Sequence, residues 1–368
     1  MGTGAGEPPA PVETKARKFP CSACGAAVVW SPGAAALRCP YCGAERTVPA
    51  SAGEIVERPI EEALSAPHDL GWGTDRKTFQ CSRCAARTTF EPGQSAGTCA
   101  FCGNPAVAEA PSDAQMVRPE GLLPFQVDRN AALGSFRSWI SSLWLRPGDL
   151  KEKASVTGMK GVYVPFWTFD AATHSAWNAD AGYYYTVAVE VEENGRTVVR
   201  QEQRVRWERA SGFLELFFDD VPVPASRGLD RSLAASIEPF PTQGLLPYDP
   251  AYLSGFLAEE YAVGAREALG LAQERMSAEI EAACSRQVPG DTQRNLSVST
   301  AWSGVAYKNA LLPLWIAAYE YAGKPWRFLV NGVTGRIAGK APYSPWKVGL
   351  LVLAIAAALF VLYQVGGR

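Results

Sequence analysis

A cysteine pattern that occurs twice, a middle region of mixed helical and alternating periodicity, and an uninterrupted apolar tail are the three main features of this chain. Together they predict two small β-rich cysteine modules, then an α+β domain with an antiparallel sheet, then a C-terminal transmembrane helix. Composition agrees with a folded core, since 47% of the 368 residues are hydrophobic. Lys plus Arg number 35 against 37 Asp plus Glu, a net charge of −2, so no global basic field draws the chain to nucleic acid.

The first module carries Cys21, Cys24, Cys39 and Cys42, two CxxC knuckles fourteen residues apart. The second repeats this sixty positions later as Cys81, Cys84, Cys99 and Cys102. Phe19, Ser22, Ala26, Pro32, Gly33 and Gly43 recur as Phe79, Ser82, Ala86, Pro92, Gly93 and Gly103, so the module is duplicated. This spacing is that of a four-cysteine zinc ribbon, because a two-residue spacer turns both thiolates of a knuckle toward one ion. The residue after the second cysteine needs an unusual backbone angle, which Gly25, Gly43 and Gly103 supply. Ala85 breaks that rule, and a strained or differently turned knuckle is expected there. Four thiolates leave no open coordination position, so the two Zn²⁺ ions, one per ribbon, are expected to be structural. A ribbon of about thirty residues buries little core, and metal binding should supply most of its folding energy. Cys39→Ser should then unfold the first ribbon and nothing else.

A disulfide framework is the competing use of these cysteines. It requires a secretory context, and 1–18 holds no apolar run of the signal-peptide kind. An iron–sulfur site is the other alternative. Cys284 is left over, at the end of a helical stripe with Leu269, Ala272, Met276, Ile280 and Ala283, where a packed, inert thiol is expected rather than a reactive one. The two histidines, His68 and His174, are too few for most Ser-His, Cys-His and His-metal schemes. His174 sits in an aromatic strand-like run that suits a hydrogen-bonded structural role, and His68 in a solvated linker.

In order along the chain, 1–17 is rich in Gly, Pro and Ala and reads as disordered, and its opening lacks the Ser/Thr of a myristoylation signal. Zinc ribbon 1 occupies 18–48. A linker at 49–76 holds a short helical piece near 60–64 and a turn at Gly71-Trp72-Gly73. Zinc ribbon 2 occupies 77–107, and a Pro-containing linker runs over 108–121. The α+β domain spans 122–345. In it, Asp128 caps a helix with Leu133, Phe136, Ile140 and Leu143 on one face, stopped at Pro147-Gly148. A strand is expected at 162–169. The alternation of Tyr183, Tyr185, Val187, Val189 and Val191, followed by Asn194-Gly195, predicts a hairpin whose return arm is 197–207. Arg200, Glu202, Arg204 and Arg206 make that arm polar enough to project into water. Another strand is expected at 213–223. The stretch 250–286 reads as helical, with Gly255, Gly264 and Gly270 suiting a division into two helices. A second hairpin, 312–321 with 326–330, ends at Asn331-Gly332 and Thr334-Gly335. Most of the eleven tryptophans fall in this domain and are expected in its core.

The tail predicts the transmembrane helix at 346–365. Residues 348–362 contain no charged or strongly polar side chain, and Trp346 and Tyr363 flank them as an interfacial belt would. The run spans about 25 Å, at the short end for a membrane helix. A buried core helix is the alternative, weakened because the segment has no polar face. Lys340 and Lys347 precede it, and free thiolates need a reducing compartment. The bulk is therefore expected in the cytoplasm, held to the inner or plasma membrane by a single pass.

Paired ribbons, the segment Leu312-Pro-Leu-Trp315 continuing to Trp326-Arg-Phe-Leu-Val-Asn-Gly-Val-Thr-Gly335, and the hydrophobic tail together resemble a bacterial family. Its members are zinc-ribbon membrane proteins labelled TFIIB-type or "primosomal protein N′-like", YdjG-type proteins among them, some encoded beside PspA-like and SPFH-domain proteins. The resemblance covers nearly the whole chain and is specific mainly at the ribbons and the last hairpin. It implies a membrane-bound adaptor of an envelope-stress system with a PspA-like or SPFH-domain protein partner. The helicase label has no support in the residues, since the chain contains no G-x-x-x-x-G-K-[ST] loop.

Three functions compete. A tail-anchored, non-enzymatic adaptor uses every legible feature. A nucleic-acid reader would use Lys15, Arg17, Lys18 and Arg38 in one ribbon, Arg76, Lys77, Arg83 and Arg87 in the other, with Trp30, Tyr41, Phe90 and Phe101 to stack bases. Those aromatics are also the large apolar residues that a ribbon core needs. An enzyme would have to draw on Asp219-Asp220 or Glu259-Glu260. Adjacent side chains diverge, so both pairs are expected as solvated surface charge, and no nucleophile elbow or HExxH motif occurs.

Overall fold

A computed structural model describes residues 19–48, 55–65, 77–90, 99–102, 104, 107–110, 119–193 and 196–366. The expected disorder at 1–17, the Gly71-Trp72-Gly73 turn, His68, Gly103 and the Asn194-Gly195 turn lie outside the described residues.

The first cysteine module forms a small antiparallel sheet of β1 (Val29–Ser31), β2 (Ala36–Arg38) and β3 (Glu45–Arg46). Then come β4 (Arg58–Pro59), α1 (Ile60–Ser65), and the second module's β5 (Lys77–Cys81), β6 (Arg87–Phe90) and β7 (Val107–Ala110). The rest of the chain follows as β8 (Gly121–Leu122), α2 (Arg129–Ser142), α3 (Leu150–Lys153), β9 (Ser155–Glu193), β10 (Arg196–Pro224), α4 (Arg231–Ser236) and β11 (Leu246–Pro247). It closes with β12 (Leu257–Glu259), α5 (Ala265–Gln287), β13 (Thr292–Tyr321), β14 (Lys324–Asn331), β15 (Ile337–Gly339) and α6 (Pro345–Gly366).

The central object is β9, 39 residues long, which is hydrogen-bonded along both edges. β10 pairs one edge from Arg196↔Glu193 to Pro224↔Phe166, and β13 pairs the other from Thr292↔Gly182 to Glu320↔Ser155. The arms expected at 197–207 and 213–223 are one strand, because the polar stretch between them keeps register against β9. Gly212, opposite Trp177, makes this possible, since a Cβ there would lie 2.6 Å from the indole. Beyond Gly182 the β9–β10 hairpin continues without β13, and Arg200, Glu202, Arg204 and Arg206 are exposed, as the polarity of the return arm predicts. Sheet pairing is largely antiparallel, with two short parallel exceptions, β12 to β9 and β13 to β8.

α5 lies across one face of this three-stranded blade. Its buried stripe, Ala268, Ala272, Met276, Ile280 and Cys284, packs with Trp167, Phe169, Trp177 and Tyr307. Cys284 is fully buried there, and burial pushes its thiol pKa up. The division of 250–286 differs from two helices: Pro250–Leu253 is a 3-10 turn, Leu257–Glu259 is β12, and the helix starts at Ala265. Gly255, at φ +86°, breaks the helical path, and the edge of β9 pairs with Leu257 and Ala258 of the short strand that follows. α2 is capped as expected, the Asp128 carboxylate accepting from the Ala131 N–H at 2.8 Å, with Phe136 and Ile140 buried against Tyr319 and Phe328.

The segment read as a linker at 49–76 is partly built into the core. β4 pairs with β13, Ile60 is buried against α5's cluster, and Arg58 bonds Glu120 at 2.7 Å. Beside it lies a polar seam. Lys308 Nζ is 2.9 Å from Glu57 and 2.8 Å from Asp220. Asp220, at a bulge with φ +52°, donates its backbone N–H to Asp170 Oδ1 at 2.6 Å. The other Asp170 oxygen is buried without a partner, and burial, with Glu57 adding to it, pushes this carboxyl up to about 6.

A folded-state pKa above the unfolded one means that the associated stability is present at low pH and lost as pH rises through about 6. Asp170→Asn imitates the protonated carboxyl and keeps its acceptor oxygen. Its urea midpoint should match the parent's near pH ~4 and exceed it increasingly up to pH ~7. A midpoint difference indifferent to pH would show that Asp170 titrates normally.

Candidate metal centres

Among the described residues two groups gather metal-ligating atoms, Cys21, Cys24, Cys39 and Cys42 in one and Cys81, Cys84, Cys99 and Cys102 in the other. Within each, all sulfurs lie within 4.8 Å of one another. The contacts are 3.5 Å for Cys21–Cys42 and Cys24–Cys39, 3.5 Å for Cys81–Cys102 and 3.7 Å for Cys84–Cys99. A tetrahedral ion with Zn–S near 2.3 Å needs sulfurs about 3.8 Å apart. Both quartets fit that ion with small adjustment, and each could hold one.

The backbone explains the convergence. Gly25 N–H bonds Cys21 O at 2.9 Å, Gly43 N–H bonds Cys39 O at 3.0 Å and Ala85 N–H bonds Cys81 O at 2.9 Å. Gly25 and Gly43 sit at φ +75° and Ala85 at +57°. Ala85 therefore makes the same turn as the glycines, at a steric cost of roughly 1–2 kcal/mol. Proton competition among close sulfurs is strong. The Cys42 backbone N–H leads in holding Cys39 down to about 6, while Cys24 rises to about 12. Hydrogen bonding from Cys84 leads in holding Cys99 down to about 5. A dication resolves that competition by binding all four as thiolates. Cys21, Cys39, Cys81 and Cys99 are buried, whereas Cys24 and Cys42 are exposed and Cys84 and Cys102 half-buried.

Neither module stands apart from the sheet. In the first, Trp30 donates its indole N–H to Phe125 O at 3.0 Å and its backbone N–H to Ser254 O, and the Ser254 hydroxyl donates to Val28 O at 2.6 Å. Val29 fits against Gly255, where a Cβ would come within 2.9 Å of it. In the second, β6 pairs with β12 and so joins the large sheet. Ala86 and Phe101 close over Gly228, leaving 2.5 Å and 3.0 Å for any added Cβ.

Glu259 and Glu260, expected on the surface, are both fully buried. β12 runs between β9 and β6, so neither side chain reaches water. Glu260 accepts from the Thr78 hydroxyl at 2.5 Å and pairs with Arg87 at 3.1 Å, which ties the second module to the sheet. Glu259 accepts from Ser226 at 2.7 Å, its other oxygen has no partner, and burial pushes its pKa well above the usual carboxylate range. The apolar neighbours Leu257, Ala258 and Val263 were the available signal of this burial. Of the other acidic pair, Asp219 is exposed and Asp220 bonds Lys308. His174 lies 3.1 Å from Glu215 on the sheet surface, and its side chain is 54% exposed.

Of the proposed stacking aromatics, Trp30 and Phe101 are buried and Tyr41 is 83% exposed, while the Phe90 side chain lies outside the described residues. Beside the first module a cleft of about 510 Å³ opens, lined by Trp30, Arg38, Pro40, Arg129, Phe256 and Trp315. At the far end of the chain, Pro345–Gln364 of α6 has mean hydropathy 2.2 and no buried residue. By length and composition it is sufficient to cross a membrane.

The chain is 27% identical over 248 residues to the uncharacterized protein YdjG of Bacillus subtilis (strain 168), an alignment covering 66% of this chain and 69% of that protein. No protein-family model matches the chain, and no solved structure does.

Because Trp30 and Leu37 share one core with Phe125, Phe136 and Ile140, damage to the first module should spread. Cys39→Ser should halve the bound zinc and also lower the unfolding midpoint of the sheet domain, read by mass spectrometry and by circular dichroism. Gly255→Val should destabilise by about 1–3 kcal/mol, from the strain of a β-branched residue at φ +86° together with the clash with Val29, with both zinc ions retained. An unchanged melting temperature in Cys39→Ser would mean that the module is independent of the sheet.

Proposed function

We propose that this chain is a membrane-anchored cytoplasmic adaptor, non-enzymatic, whose two zinc ribbons brace a surface for a protein partner. The carrying observation is the combination of two all-cysteine quartets, which leave a bound ion no open position, with a bare apolar helix towards the other end of the chain. On this reading the metals set shape. They lock the turns that seat Trp30 and Phe101 against the sheet, and the first of these turns borders the cleft. The cleft's mixed lining of aromatic and cationic side chains suits a peptide segment with acidic and apolar residues. The partner class suggested by the family resemblance is a PspA-like or SPFH-domain protein.

A nucleic-acid reader is supported less. Two of its stacking residues are buried, Arg87 is engaged by Glu260, and Arg38 lies 3.8 Å from Glu45. An active site at the acidic pairs is also supported less, since Glu260 and Asp220 are tied into ion pairs within the fold.

Two measurements test the proposal. In a nuclease-treated detergent pull-down from native membranes, Arg38→Glu combined with Tyr41→Ala should lose a PspA-like or SPFH-domain partner by about tenfold or more. Partner capture that ignores the substitutions, or nucleic acid co-purifying once nuclease is omitted, would overturn it. Ending the chain at Ser344 should move the protein out of the membrane fraction with both zinc ions retained.

A further inference from the structure

The connection between α2 and α3 is fastened to the root of α6. Ser344 N–H bonds Leu145 O at 2.9 Å, Lys347 Nζ bonds Trp144 O at 3.0 Å, and Arg146 bonds Ala341 O at 2.5 Å. The Arg146 guanidinium also stacks 3.6 Å over the Tyr343 ring. Three large aromatics around these ties are left in the open: Trp144 is 66% exposed, Tyr343 64% and Trp346 80%.

The length of α6 decides where this cluster stands. With Trp346 and Lys347 at the interface, the rest of the span, Val348–Gln364, rises about 25 Å, less than the roughly 30 Å of the hydrocarbon core. No turn of helix is left over to lift the attached connection away from the bilayer. A segment bonded to residues 344 and 347 therefore stands at headgroup level. Exposed tryptophan and tyrosine are the residues favoured at that depth, with an apolar ring on one side and a polar edge on the other. Charge agrees: Arg146 and Lys347 stand at the ties themselves, and α3, which follows directly, exposes Lys151 and Lys153, against Asp149 and Glu152. Asp149 is already engaged by Lys153 and the Tyr321 hydroxyl.

We propose that the α2–α3 connection is a second membrane contact, with Trp144 seated among the headgroups of an anionic leaflet beside Trp346. It rests on the anchor reading of α6 and adds to it an orientation. A single helix leaves the domain free to tumble on its tether, whereas a second foot fixes which face of the sheet points away from the membrane.

The test uses the full chain labelled with 5-fluorotryptophan, in nanodiscs of phosphatidylserine and phosphatidylcholine carrying a nitroxide on the lipid headgroup. Trp144→Phe and Trp346→Phe assign the two fluorine resonances. Both should broaden, to within about twofold of each other, as residues at one depth do. Discs of phosphatidylcholine alone should reduce the broadening at Trp144 and spare that at Trp346. A sharp Trp144 line beside a broadened Trp346 line overturns this inference, leaves the anchor standing, and assigns the aromatic patch to a protein contact. Broadening of Trp144 that ignores lipid charge overturns the anionic assignment. Two sharp lines, with protein that elutes apart from the discs, overturn the anchor reading and this inference together.

Discussion

The whole architecture depends on one strand satisfying its backbone on both sides. β9 organises the large sheet: β10 and β13 bond its two edges, β12 bonds it in parallel near Val162, and α5 covers one face. Buried backbone N–H and C=O groups must be paired, and a strand without free edges over its apolar half meets that demand. The stretch from Gly161 to Ala171 is accordingly buried on both faces. Glycines occur where neighbours press closest, as at Gly161 under the Phe256 ring and Gly212 under Trp177.

The two cysteine modules use this spine as a wall. A thirty-residue module has too little apolar surface for a core of its own, and both modules make up the deficit by contributing residues to the large core. Cys21, Trp30, Leu37 and Cys39 belong to the cluster that also holds Phe125 and Phe328, and Cys81, Ala86, Cys99 and Phe101 to the one around Leu229 and Leu233. A metal held by either quartet would be coupled to domain packing, because the buried cysteine of each knuckle is both a candidate ligand and a core residue. The buried Glu260–Arg87 pair belongs to the same junction. Such a pair is weak evidence for stability, and its value lies in fixing the register of β6 against β12.

Polar groups buried along β9 form a second layer of specification. Lys308 bonds carboxylates from two distant parts of the chain, Glu57 ahead of β4 and Asp220 at the β10 bulge, and so ties the 55–65 segment to the sheet. A bulge with a non-glycine residue at positive φ is held in place by Asp170, whose own second oxygen stays unpartnered. The arrangement is locally unfavourable and globally enforced, a common condition where long strands must bend.

Much of this was legible in the residues alone. Cysteine spacing identified both quartets, because a two-residue spacer is a local geometric demand that sequence states directly. Asp128, the alternation over 183–192 and the apolar tail were equally local signals, and each element forms where its period places it. Tertiary structure decided what depends on neighbours distant in sequence. The joining of 197–207 to 213–223 required Trp177 across from Gly212, and β12 arose because an open edge of β9 outweighed the helical pattern around it. Glu259, Glu260 and Lys308 became interior residues through strand order, which no periodicity encodes. Local spacing reports what a segment does by itself. Burial and pairing belong to the contacts that only the folded chain brings together.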